Sequence, residues 1–158
     1  AEHLMLVDLE RNDMGRVCKA GSVNVTELMC LEQYSHVSHI VSNIEGKLKS
    51  NITIYNLLKS LFPGGTITGC PKIRCMEIIN ELEPSERGAY SGSFGYIGFC
   101  RQLDLNILIR TIFLKNGEAS FHVGAGIVAD SDPDNEYEET LAKAAAMIEV
   151  LSDSTSIT

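Results

Sequence analysis

The sequence predicts an α+β fold with antiparallel β-sheets and flanking helices. Apolar residues recur at helical spacing near both ends of the chain. Residues 23–48 are rich in β-branched residues with partial alternation, which is typical of strands. Lys115-Asn116-Gly117-Glu118 is a strong signal for a β-hairpin turn. Strands joined by hairpins favour α+β over a wound parallel sheet.

The first half of the chain is predicted to alternate between helices and strands. Residues 1–12 form a predicted helix, which we expect Asn12-Asp13-Met14-Gly15 to end. Residues 23–48 predict two or three strands, and Thr53 to Phe62 predict a short helix ended by Pro63-Gly64-Gly65. Pro71 suits the first turn of the next helix, which runs to Glu83, because its missing N–H costs nothing there.

The second half is predicted to form three strands and a long helix. The strands cover residues 92–100, 105–115 and 118–129, and the helix runs from near Pro133 to about Leu151. We therefore expect residues 1–152 to belong to one domain and residues 153–158 to be a frayed tail.

The composition limits the classes of function. The net charge of −8 argues against non-specific nucleic-acid binding, and no apolar run approaches the roughly 18 residues of a membrane span. The five cysteines lack CxxC spacing and no secretory signal precedes them, so we expect reduced thiols and a cytoplasmic protein. The chain has no initiator Met and begins within a helical pattern, so we expect a missing N-terminal segment. Strand edges left unpaired without that segment would favour self-association as the alternative.

Two glycine-rich segments are candidate anion sites. Residues 63–72 combine glycines and hydroxyls with Lys72 at a helix start, although their spacing is not that of a P-loop. A capped tight turn is an equal alternative. In residues 122–128, Gly124, Ala125 and Gly126 interrupt a predicted strand, where successive N–H groups can hold a carboxylate. A bulge or bend is the simpler explanation of those glycines.

The last helix carries two candidate metal ligands. Glu136, Glu139 and Lys143 are spaced i, i+3, i+7 and so share one face. Two carboxylates there suit a hard cation such as Mg²⁺. The ordinary alternative is an acidic helix start with an i,i+4 ion pair.

Several isolated residues carry weaker signals. His36 and His39 point to opposite faces if their segment is a strand, so a shared metal is not expected. Glu2 carries no signal by itself. Arg110 interrupts an apolar predicted strand, and if buried it needs a carboxylate partner from the protein or a ligand.

Taken together, these segments resemble the chorismate-utilising enzymes, of the aminodeoxychorismate synthase and anthranilate synthase component I kinds. The matching stretches follow one another along nearly the whole chain: AEHLMLVDLERND (1–13), GRVCKAGSV (15–23), YSHVSHIVSNIEG (34–46), FPGGTITGCPKIRCMEIINELEP (62–84), GSFGYIGF (92–99), LDLNILIRT (103–111) and GAGIVADSDPDNEYEETLAKA (124–144). The resemblance implies that the chain is the C-terminal part of a two-lobed chorismate-binding sandwich.

The resemblance also implies a set of site residues. Mg²⁺ is expected between Glu2 and Glu139, with Glu136 nearby or acting through water. The expected substrate contacts are Lys143, Arg110, Tyr90, Thr66 and the backbone of Gly124, Ala125 and Gly126. His39 resembles the histidine beside the C4 hydroxyl that leaves. Mg²⁺ and these cationic groups would offset the overall charge of −8 for the dianionic substrate.

The expected reaction is the amination of chorismate with ammonia from a glutamine amidotransferase subunit. PGGTITGCPK and LDLNILIRT look more like aminodeoxychorismate synthase component I, of p-aminobenzoate and folate biosynthesis, which we favour. YSHVSHIVSNIEG looks more like anthranilate synthase component I, of tryptophan biosynthesis. A third alternative is a fragment that binds Mg²⁺ or chorismate without turnover, because the family's upstream half is absent from this sequence.

Overall fold

The structure, a computed structural model, describes residues 1–33 and 38–154. The chain divides into two compact units, Ala1–Glu81 and Leu82–Thr158. Both units combine helices with small antiparallel sheets, so the predicted α+β class is confirmed. His36, and residues 155–158 of the predicted tail, lie outside the described residues.

The first unit begins with a helix and a two-stranded sheet, followed by three helices. Its elements are α1 (Glu2–Val17), β1 (Asn24–Gln33), β2 (Ser38–Glu45), α2 (Ile54–Leu61), α3 (Gly65–Thr68) and α4 (Lys72–Leu82). The Thr53 hydroxyl caps α2 by accepting a hydrogen bond from the Asn56 N–H at 3.1 Å. Of the two or three strands predicted over residues 23–48, the described part of that range contains two.

The predicted end of α1 at Asn12–Gly15 is wrong, because the helix continues to Val17. Asp13 is buried inside this stretch and forms an ion pair with Lys72. The Ser60 hydroxyl also donates a hydrogen bond to the Asp13 carbonyl at 2.7 Å. These tertiary contacts hold the last helical turns against the weak propensity of Asn, Asp and Gly.

The second unit contains two hairpins and one long helix. Its elements are β3 (Ser93–Ile97), β4 (Leu103–Ile107), β5 (Phe113–Lys115), β6 (Glu118–Ser120) and α5 (Pro133–Ser154). β3 pairs with β4 and β5 pairs with β6, both antiparallel. The predicted hairpin turn is confirmed, with Asn116 and Gly117 at φ 54° and 81°, as a type I′ turn requires.

Two strand predictions in this unit are too long. The predicted strand 105–115 is interrupted at residues 108–112, and the predicted strand 118–129 ends at Ser120. In each case the sequence pattern is apolar enough for a strand. Leu108 still makes backbone hydrogen bonds to Ser91 and Gly92, but beyond it no strand among the described residues pairs with the continuation.

Few apolar side chains are fully buried in either unit. The buried apolar residues are Val7, Val17 and Cys18 in the first unit and Ala144 and Met147 in the second. Every described sheet has two strands, so all of their strands are edges, and side chains such as Leu31 and Phe94 stay exposed. Within the described residues, no helix has the length and apolarity that crossing a membrane requires.

Candidate functional site

Lys143 joins α5 to the glycine segment of the second unit. Its ammonium donates a hydrogen bond to the Gly124 carbonyl at 3.1 Å and pairs with Glu139 Oε1 at 2.5 Å. The Glu139–Lys143 pair follows from i,i+4 spacing on one helix. The side chain of Lys143 remains 33% exposed, so its charge is available to a ligand beside Gly124.

Tyr90 lies against the same glycine. A Cβ atom built on Gly124 would lie 2.9 Å from the Tyr90 hydroxyl, so a side chain at this position would force the tyrosine to move. The Tyr90 ring stacks on His122, with the ring centroids 5.5 Å apart and an interplanar angle of 17°. Tyr90, Gly124 and Lys143, which the family resemblance implied as substrate contacts, are therefore brought together.

Arg87 contacts the Tyr90 ring and is itself held by a salt bridge to Glu83. Its guanidinium carbon lies 5.6 Å from the Tyr90 ring centroid, which is a cation–π distance. The guanidinium pairs with Glu83 at 2.6 Å and donates a hydrogen bond to the Ser91 hydroxyl at 3.0 Å. The hydrogen bond from Arg87 holds the pKa of Glu83 below its ordinary value, and the same bond raises the pKa of Arg87.

Glu136 has one satisfied and one unsatisfied oxygen. Its Oε1 accepts a hydrogen bond from the Ser131 hydroxyl at 2.6 Å, and that hydroxyl in turn accepts from the Val128 N–H at 3.0 Å. Its Oε2 is buried and has no hydrogen-bond partner among the described residues. A buried carboxylate oxygen without a donor is costly, and a cation or a water would satisfy it.

The donor chemistry of α5 therefore fits Mg²⁺. Glu136 and Glu139 supply carboxylate oxygens from one helix face, and Mg²⁺ binds proteins through one or two carboxylates while keeping waters and substrate oxygens. Across residues 1–33 and 38–154, no three His, Cys, Asp or Glu side chains are grouped closely enough to enclose a metal ion. Glu2 lies at the start of α1 in the other unit and is exposed. Its predicted role as a ligand stays a prediction.

The remaining predicted site residues lie elsewhere. His39 is half-buried on β2, opposite Glu32 in the strand register, and Thr66 is exposed on α3. The prediction that Arg110 lies within a strand is wrong. It follows the end of β4, is exposed and has φ 50°, so burial does not force a partner on it. Its predicted contact with a substrate carboxylate stays a prediction.

The first glycine-rich loop is engaged by the protein itself. The Glu10 carboxylate accepts a hydrogen bond from the Gly65 N–H at 3.0 Å, and Lys72 pairs with the buried Asp13. This N–H and this ammonium thus already have anionic partners. Sequence reasoning missed both contacts because they join residues 55 and 59 positions apart.

Sequence reasoning also missed Arg87 and His122. Nothing in a single sequence distinguishes Arg87 from a surface arginine, although its i,i+4 spacing from Glu83 is a signal for an ion pair. His122 lay inside a predicted strand, and its stacking on Tyr90 depends on the irregular backbone that replaces that strand.

Comparison with known proteins identifies the family to which this chain belongs. Residues 1–149 match the family of chorismate binding enzymes. An anthranilate synthase component I-like protein from Synechocystis sp. is 60% identical, over 96% of this chain and 31% of its own length. Aminodeoxychorismate synthase component 1 from Bacillus subtilis is 56% identical, over 93% of this chain and 31% of its own length.

A solved structure gives the same answer for the fold. Anthranilate synthase component I from Streptococcus pneumoniae superimposes with a TM-score of 0.87 and 48% identity, covering 92% of this chain and 34% of that protein. The chain thus spans about a third of the length of these relatives.

Proposed function

Because the chain belongs to the chorismate-binding enzymes, we propose that it contributes to a Mg²⁺-dependent amination of chorismate. We favour aminodeoxychorismate synthase component I, which adds ammonia at C4. A relative with this name is 56% identical. The comparisons support the alternative, anthranilate synthase component I, equally, since a relative with that name is 58% identical. The preference rests on the stretches PGGTITGCPK and LDLNILIRT.

The observation that carries the proposal is the meeting of Lys143, Gly124 and Tyr90 in the second unit. Lysine has three N–H donors, and the contacts to Gly124 and Glu139 use two of them. The third donor, with the backbone N–H groups of residues 124–126, suits a carboxylate. Tyr90 offers a hydroxyl at the same place. Chorismate carries two carboxylates, so the cluster meets one of its chemical requirements.

Mg²⁺ would be held by Glu136 and Glu139, with Glu2 as the further ligand that the family resemblance implies. Bound there, the ion supplies Lewis-acid stabilisation of negative charge on a substrate carboxylate. The protein's own part is to orient its carboxylates. Ser131 fixes Glu136 through Oε1, which leaves Oε2 for a cation. Lys143 fixes Glu139, and its positive charge offsets part of the repulsion between the two glutamates.

The partners are also part of the proposal. Ammonia would come from a glutamine amidotransferase subunit. The exposed apolar side chains of the two-stranded sheets would be covered by an additional segment or by a second copy of the chain, since such faces are unstable in water.

The deciding experiment is product analysis by mass spectrometry, with the purified chain, chorismate, Mg²⁺ and ammonium. Aminodeoxychorismate supports the favoured function and anthranilate the alternative. If neither product forms but calorimetry still detects chorismate binding, the chain is a fragment that binds without turnover. Absence of binding contradicts the proposed function.

The metal assignment has a separate test. Mg²⁺ should raise the melting temperature of the chain, and Glu136→Gln, Glu139→Gln and Glu2→Gln should each reduce that rise, because an amide is a weaker ligand than a carboxylate. Glu138→Gln is the matched control, since Glu138 is exposed on the same helix but lies off the face that Glu136 and Glu139 share. An equal Mg²⁺-induced rise in all five proteins would contradict the assignment.

A further inference from the structure

The segment between β6 and α5 keeps its shape without regular secondary structure. Residues 121–128 belong to no helix or strand, and side-chain contacts add to the backbone hydrogen bond from the Ser131 N–H to the Val128 carbonyl at 3.0 Å. Three such contacts are present. Lys143 binds the Gly124 carbonyl, Ser131 accepts from the Val128 N–H, and His122 stacks on Tyr90.

The His122 contact differs from the other two because it involves no hydrogen bond. The nearly parallel rings of His122 and Tyr90 are in stacking geometry. His122 Nδ1 is buried and finds no hydrogen-bond partner among the described residues. An unsatisfied buried nitrogen costs free energy, so the favourable contact that the described residues offer this side chain is the stack of its ring on Tyr90.

Tyr90 links this stack to the candidate substrate position. Its hydroxyl lies where any side chain on Gly124 would have to go, and Arg87 lies at cation–π distance from its ring. A change in the χ1 angle of Tyr90 would carry the hydroxyl across Gly124. His122 comes from the same segment as Gly124, so the stack couples the orientation of Tyr90 to the backbone on which a carboxylate would rest.

We propose that His122 is a positioning residue, which holds the Tyr90 hydroxyl beside Gly124 and so sets the affinity of the site for a substrate carboxylate. The affinity part rests on the proposed function above. His122 touches no reacting atom and acts through Tyr90. Its effect should therefore fall on binding rather than on the chemical step.

The test compares His122→Ala with His122→Phe, which keeps a planar ring but has no ring nitrogen. In NMR spectra of the chain with ¹³C-labelled tyrosine, the Tyr90 ring signals should keep their ring-current shifts in His122→Phe. They should move toward free tyrosine in His122→Ala. The Kd for chorismate in the presence of Mg²⁺ should rise about two- to tenfold in His122→Ala and stay near wild type in His122→Phe. If His122→Ala does not fold, His122→Leu removes the ring while filling the space.

A purely structural role would give a different result. A second substitution, Tyr90→Ala, should abolish the effect of His122→Ala on the Kd, because no ring remains to be positioned. Unchanged Tyr90 signals in His122→Ala, or equal effects of His122→Ala and His122→Phe, would overturn the inference. If the wild-type chain does not bind chorismate, the proposed function fails, while the Tyr90 signals still decide whether His122 positions the ring.

Discussion

Two glycine-rich segments, residues 63–72 and 121–128, look alike in sequence and differ in what their polar groups do. The first contains three glycines and ends at Lys72, and the second contains two glycines and contacts Lys143. In the first, Lys72 is paired with Asp13, a carboxylate that is only 2% exposed, and the Gly65 N–H is bound to Glu10. In the second, the side chains of Lys143 and Glu139 are 33% and 52% exposed, and the buried atoms Glu136 Oε2 and His122 Nδ1 find no hydrogen-bond partner within the described residues.

The difference shows that the counter-charge, rather than the glycine pattern, separates a structural loop from a candidate binding segment. Where a carboxylate distant in sequence binds the loop, the positive groups already have partners, and breaking those contacts costs stability. Where the available carboxylates lie on one helix and are only partly paired, charge remains for a ligand. Substitutions in the first segment should therefore change stability, and substitutions in the second should change binding.

The largest expected effect is the loss of stability when Asp13 is substituted. Asp13→Asn leaves the Lys72 ammonium, whose side chain is 14% exposed, without its negative partner. We expect the free energy of unfolding in urea, followed by circular dichroism, to fall by about 3 kcal/mol.

The matched control for Asp13 lies on the same helix. Asp8→Asn removes an exposed ion pair with Arg11 and should change the free energy of unfolding by less than about 0.5 kcal/mol. Equal losses for the two substitutions would mean that burial of the Asp13–Lys72 pair does not distinguish it from a surface pair.

The next effect is on Gly124. Gly124→Ala places a methyl group against the Tyr90 hydroxyl, and overpacking of this kind costs about 1–3 kcal/mol in a core. Because the segment is partly exposed, we expect the free energy of unfolding to fall by about 1 kcal/mol. We also expect a measurable loss of chorismate affinity in calorimetry. Tyr90→Phe combined with Gly124→Ala should restore part of the stability, since the clashing oxygen is removed.

Gly15 provides the control for this substitution. Gly15 lies in α1 with no atom near the position of an added Cβ, so Gly15→Ala should raise stability by up to about 1 kcal/mol. A loss at both glycines would indicate a general backbone effect in place of the contact with Tyr90.

The sequence predicts the elements that local patterns determine. The short helix between Thr53 and Phe62, the Asn116-Gly117 turn and the start of α5 at Pro133 each depend on a few neighbouring residues, and each was predicted correctly. The continuation of α1 past Gly15 and the loss of the strand after Ser120 depend on long-range partners. No local pattern carries that information.

The same limit applies to the candidate site. The Glu139–Lys143 pair could be predicted from helical spacing, and the family resemblance pointed to Tyr90 and Gly124. The stacking of His122 on Tyr90 could not be predicted, because it requires the irregular path of residues 121–128. A strand there would alternate side chains between two faces and would not specify which ring His122 meets.

The smallest expected effect is on the salt bridge that supports Tyr90. The hydrogen bond from Arg87 lowers the pKa of Glu83 in the folded chain, so the unfolded chain binds a proton more readily. The stabilisation is therefore present above the ordinary carboxyl pKa and is lost as the pH falls through the lowered value. Because both side chains are partly exposed, we expect Glu83→Gln to cost less than about 1 kcal/mol at neutral pH. The difference from wild type should shrink on acidification in urea titrations at several pH values.

Glu77→Gln, in the more exposed pair with Arg74, is the control and should stay within about 0.5 kcal/mol of wild type. A difference for Glu83→Gln that grows as the pH falls would contradict the assigned sign and would remove the ionised Glu83–Arg87 pair as the support of Tyr90.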